Sequence, residues 1–68
     1  MGIKDTVSFD GVHVKAASDK SLLCVIDGEE HWIPQTQIDD DSEVYKRGDE
    51  GKLVISRWIA RQKGLTED

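Results

Sequence analysis

The stretch that decides the fold is "SLLCVIDGEEHWIPQTQI", Ser21–Ile38. Its first half is a continuous apolar run with β-branched residues, which reads as a central strand. Alternation puts Leu22, Cys24 and Ile26 on one face and Leu23 and Val25 on the other, so both faces call for cover. Asp27-Gly28 is a strong hairpin signal. The second half alternates again: Trp32, Pro34, Thr36 and Ile38 share one side, and His31, Ile33, Gln35 and Gln37 the other. Proline cannot donate to a ladder, so Pro34 belongs at an edge, a bulge or a bend. The expectation is that Glu30–Ile33 pairs with the central strand, that the chain bends at Pro34, and that "QTQI" leaves in a new direction, as small barrels turn their corners. Trp32 and Pro34 are expected to face the core, and Gln35 and Gln37 a groove or partner.

Upstream, "TVSFDGVHVKAAS" alternates around Asp10-Gly11 and reads as one bent strand or a tight hairpin. Downstream, "DDDSEVYKRGDEG" is a polar loop anchored by Val44 and Tyr45, with tight turns at Gly48 and Gly51. "KLVIS" is a strand with Leu53 and Ile55 on one face and Val54 on the other. "RWIARQKGL" is a short helix with Ser56 as N-cap. Lys63 ends it, Gly64 takes the left-handed C′ position, and Leu65 folds back onto Ile59 or Ala60. The fold class is therefore mainly β with some α: a β-meander of four to five strands closed by one C-terminal helix, in an SH3-like or OB-like half-barrel. The 68 residues make a single domain, 1–68, frayed at 1–5 and 66–68.

A chain this short has a thin core and needs a staple, good packing or a partner subunit. Cys24 is the only cysteine, so no disulfide is available, and in "LLCVI" it reads as a small buried hydrophobe. Cys24, His13 and His31 lack metal-ligand spacing, and no cofactor is implied. A homodimer follows as the expectation. No run approaches membrane-spanning length and no signal peptide is visible. "MGIKDT" meets only the short myristoylation pattern, at Gly2 and Thr6. The chain reads as cytosolic.

The net charge of −5 argues against a protein held mainly by phosphate contacts. Its distribution is uneven. Asp39 to Glu50 holds six acids against Lys46 and Arg47, whereas Lys52 to Lys63 holds four basic residues and no acid. Such a split can orient a partner or a second subunit.

No enzyme template fits: there is no phosphate-cradling glycine loop, nucleophile elbow or metal spacing. The contiguous acids Asp39, Asp40, Asp41 and Glu43 lack the alternation and the central glycine of a calcium loop, and read as a solvated loop. Binding candidates remain. Trp58, with Arg57 before it and Arg61 one turn on, can stack a base or grip a phosphate. Gln35 and Gln37, with His31 on the same side, offer an amide face that bonds without the desolvation cost of a charge.

"HWIPQTQI" followed by "EVYKRGDEGKLVISRWIARQKGL" resembles a set of small bacteriophage and prophage proteins. These carry a Trp-(Ile/Leu)-Pro-x-Ser-Gln-Ile segment, a Gly-Asp-x-Gly loop and a closing Trp-(Ile/Leu)-Ala-x-x-Lys-Gly-Leu helix. The match covers about Leu22 to Leu65. It falls on Trp32, Ile33, Pro34, Gln37, Ile38, Gly48, Asp49, Gly51, Trp58, Ala60, Lys63, Gly64 and Leu65, with Thr36 in place of Ser. The resemblance transfers no catalytic residue. It implies a phage accessory protein of the bacterial cytoplasm that binds a host protein or a small nucleotide ligand used in defence. The alternative is an accessory protein for single-stranded nucleic acid, using Arg57, Trp58 and Arg61.

Overall fold

The apolar run forms β2, Ser21–Ile26, and the two-residue turn after it is built as expected, with positive φ at both Asp27 (52°) and Gly28 (82°). That is the backbone twist that matches two right-twisted strands. β3, Glu29–Pro34, returns antiparallel along β2, with Ile26 opposite Glu29, Cys24 opposite His31 and Leu22 opposite Ile33. The computed structural model describes residues 5–66. Of the fraying expected at 1–5 and 66–68, the parts at 1–4 and 67–68 lie outside them, as does Gly2 of the myristoylation pattern. Asp5 is tied down: its carbonyl accepts from Arg57 N–H at 2.9 Å and its carboxylate from Arg57 Nε at 3.1 Å.

β1, Thr6–Ala17, is one long bent strand rather than a hairpin. Its register against β4, Glu50–Ser56, slips between Phe9 and Val12, where Gly11 takes a φ of 66°. A second slip, between Val14 and Ala16, re-aims it along β2. The sheet order is β3-β2-β1-β4, all antiparallel, with β2 and β1 interior. Residues 38–43 run along the other edge of β4. Ile38 bridges Ile55, Asp39 N–H donates to Val54 O at 2.8 Å, and Glu43 N–H donates to Lys52 O at 2.7 Å. The strand set thus curls toward closure as a small half-barrel.

Val12, Val14, Leu22, Cys24, Ile33, Leu53 and Ile55 fill the inside, with Val44 inserted from the loop. The helix α1, Arg57–Gln62, covers one end with Ile59 and Ala60. Ser56 Oγ accepts from Ile59 N–H at 3.2 Å, which caps the first turn. At the other end Gly64, at φ 72°, donates to Arg61 O at 3.2 Å, and Leu65 donates to Ala60 O at 2.8 Å. This pair of bonds is a Schellman closure, and it returns Leu65 to the core. Among the described residues no helix is long and apolar enough to cross a membrane.

Two expectations from the sequence are corrected. Trp32 does not face the core. It is 46% exposed, Pro34 is half-buried beside it, and Ile33 is the fully buried residue of β3. The cause is the hairpin turn. It sets Ile26 opposite Glu29, and residues opposite one another share a face. With Ile26, Cys24 and Leu22 inside, His31 and Ile33 point inward, Glu29 lies at the exposed end of the same face, and Trp32 points outward. Strand alternation also stops at Pro34: Gln35–Gln37 is a 3-10 turn, so Gln35 and Gln37 do not share a strand face.

Candidate functional site

The outer face of the sheet carries what the core does not absorb. Trp32, Leu23 and Ala16 stand opposite one another across β3, β2 and β1 and form an apolar row. Leu23 and Ala16 are only half-buried. The next row runs Glu30, Val25, His13 and Glu50 across the sheet. Lys15, in the bulge of β1, reaches Glu30 at 2.6 Å, and His13 Nδ1 lies 3.9 Å from Glu50. The face is therefore an apolar strip with a large indole at the sheet's edge, bordered by the Glu30–Lys15 pair and by Glu50 beside His13.

The inner face of β3 is different. His31 is mostly buried, with 17% of its side chain exposed; its Nε2 makes no hydrogen bond and lies 3.8 Å from the Glu29 carboxylate. Cys24, opposite His31, is fully buried, and burial pushes its thiol up to about 11. It is an unreactive packing residue at neutral pH.

The other residues singled out from sequence are not gathered into one site. Gln37 belongs to the framework: its Oε1 accepts from the Ser56 hydroxyl at 2.5 Å, which ties the 3-10 turn to the helix cap. Gln35 is exposed; its amide donates to Ser18 O at 3.5 Å. On the helix, Arg57 is bonded to Asp5. Trp58 is 60% exposed, and Arg61, three residues on and also exposed, shares its side of the helix. The grouping of Arg57, Trp58 and Arg61 is thus reduced to the last two.

The acidic loop is organised by its own backbone. Asp39, buried, accepts from Asp41 N–H at 3.0 Å. Asp49 accepts from Tyr45 N–H at 2.8 Å, Lys46 N–H at 3.1 Å and Lys46 Nζ at 3.1 Å, and these bonds, first that to Tyr45, hold its carboxyl below the usual carboxylate range. Among the described residues no three His, Cys, Asp or Glu side chains are grouped as a metal site. Between the 3-10 turn and this loop lies a shallow cleft of about 230 Å³, bordered by Gln35, Ile38, Asp39, Asp40 and Tyr45.

Sequence reasoning missed Tyr45 as a surface feature. It is 57% exposed, and its hydroxyl donates to Asp40 O at 3.1 Å. No signal in the loop distinguished it from Val44, which is fully buried. The outer strip could have been found, because the turn at Asp27-Gly28 fixes the parity of β3.

Compared with models of protein families, with curated proteins and with solved structures, the chain matches none.

Proposed function

We propose that the protein is a non-enzymatic binding module of phage type, acting in a bacterial cytoplasm, whose contact surface for a host protein is the outer sheet face around Trp32. The observation that carries this reading is an indole 46% exposed on the face opposite the core, in line with half-buried Leu23 and Ala16. In a thin-cored chain that large apolar area is withheld from folding. Exposed aromatic anchors in an apolar setting dominate binding energy at protein interfaces.

Charge selects among the ligand classes. Glu30, paired with Lys15, and Glu50 border the strip, the separate cleft between the 3-10 turn and the acidic loop carries Asp39 and Asp40, and the net charge is −5. A polyphosphate or nucleotide would meet repulsion at both places. A protein with an apolar pocket ringed by basic residues is complementary to this surface.

The second reading, single-stranded nucleic acid on the helix, rests on exposed Trp58 beside Arg61. It has lost Arg57 to the pair with Asp5.

The experiment is affinity capture from bacterial lysate with wild type, Trp32→Ala and Trp58→Ala, read for proteins, nucleotides and nucleic acid. The proposal expects a host protein that Trp32→Ala loses and Trp58→Ala keeps. Recovery of nucleic acid that depends on Trp58 and dissolves with added salt would support the second reading instead.

A further inference from the structure

The open side of β3 has its own chemistry. A two-residue turn closes its hairpin on a pair that exchanges both backbone bonds, here Ile26 and Glu29. Bonded pairs then recur at Cys24–His31 and Leu22–Ile33. Gln35 N–H, donating to Lys20 O at 2.7 Å, continues the same series. Glu30, Trp32 and Pro34 therefore turn their backbone groups away from β2. β3 ends the strand order, with β2 as its only strand neighbour among the described residues. Pro34, which has no N–H, occupies an outward position, so no ladder bond to β2 is lost there. It also confines two-way exchange at this edge to Glu30 and Trp32.

We propose that this edge is an interface with a second copy of the chain, formed by antiparallel pairing of β3 with β3 of the partner about a two-fold axis through His31. Five features favour that arrangement. A two-fold pairing centred on Glu30 would set like carboxylates opposite each other. One centred on Pro34 has no N–H at its centre. The pairing through His31 sets Glu30 against the partner's Trp32 and Trp32 against the partner's Glu30, which uses every outward donor and acceptor of both residues, roughly four interchain bonds. It also opposes the two His31 side chains, and His31 carries the one buried side-chain nitrogen without a hydrogen-bond partner among the described residues. No like charges face each other across this register, since Glu29 meets the partner's Ile33. The two sheets join into one, and the two Trp32 rings become diagonal neighbours on a single outer strip. The inference is independent of the host-protein reading, because its test uses the purified protein alone.

Sedimentation velocity on the full chain at tens of micromolar should show a dimer. Glu30→Pro removes an outward N–H without breaking a bond to β2, and should give a monomer with an unchanged far-ultraviolet spectrum. A His31→Cys, Cys24→Ala variant should form an interchain disulfide on mild oxidation, since residues facing each other in this kind of pair have Cα atoms about 4.5 Å apart. A wild-type monomer at these concentrations overturns the proposal. So does a dimer that survives Glu30→Pro, which would place the interface elsewhere. Should Glu30→Pro fail to fold, the cysteine variant decides: absence of a disulfide-linked dimer overturns the pairing.

Discussion

Ile33→Ala and Trp32→Ala form a matched pair of perturbations, one residue apart on the same strand. Ile33 is fully buried opposite Leu22, itself 1% exposed, so its replacement leaves a cavity between β3 and β2. Losing its methyl and methylene groups costs about 0.8 kcal/mol each in transfer energy, and the cavity adds more, for a total of about 3–4 kcal/mol. A chain of 68 residues has a total stability of roughly 3–10 kcal/mol, so this change lowers the melting temperature by at least ~12 °C or unfolds the protein. Trp32 is 46% exposed, so replacing it removes only about half of a full aromatic burial, about 1–2 kcal/mol. Urea unfolding followed by circular dichroism measures both. The expected order is Ile33→Ala well below Trp32→Ala in midpoint, at similar slope. The reverse order would refute the assigned facing of β3 and put Trp32 back in the core.

Gly64→Ala should cost roughly 1 kcal/mol in chemical denaturation, because the left-handed C′ position penalises a Cβ; an unchanged midpoint would mean the helix ends by another route. Cys24 should resist alkylation at neutral pH in the folded protein and react on unfolding, since burial raises its thiol to about 11; rapid labelling of the native state would contradict its place in the core. Asp49, whose folded carboxyl is depressed by its bonds to Tyr45 and Lys46, contributes stability above its unfolded value near ~3.9 and loses it as pH falls through the folded value. Asp49→Asn should therefore destabilise the protein at pH 7 more than at low pH, and an equal loss at both would exclude the charge as the cause.

Much of the fold was legible because local chemistry and tertiary structure agree. Asp27-Gly28 has the residues a primed turn demands, and Ser56, Gly64 and Leu65 stand where helix capping needs them. The bend in β1 was marked by Gly11. The facing of β3 was misread because alternation fixes which residues share a face but not which face is buried. Placing Trp32 on the buried face chose the wrong one. Turn geometry carried the answer, since it couples Glu29 to Ile26 and so to the core face. The glutamines were misplaced for another reason. A 3-10 turn after Pro34 has a period near three, so Gln37 swings toward Ser56 while Gln35 stays exposed. The pairing of Arg57 with Asp5 spans nearly the whole chain and leaves no local trace in sequence.

The most direct test of the contact surface uses the two indoles separately. In Trp58→Phe the only tryptophan is Trp32, and in Trp32→Phe it is Trp58. Fluorescence quenching by acrylamide is measured for each, alone and with the host protein recovered by capture. The account predicts that both indoles are quenched in the free protein and that the partner shields Trp32 while Trp58 stays accessible. Shielding of Trp58 with Trp32 unchanged would contradict the assignment of the outer sheet face as the binding surface.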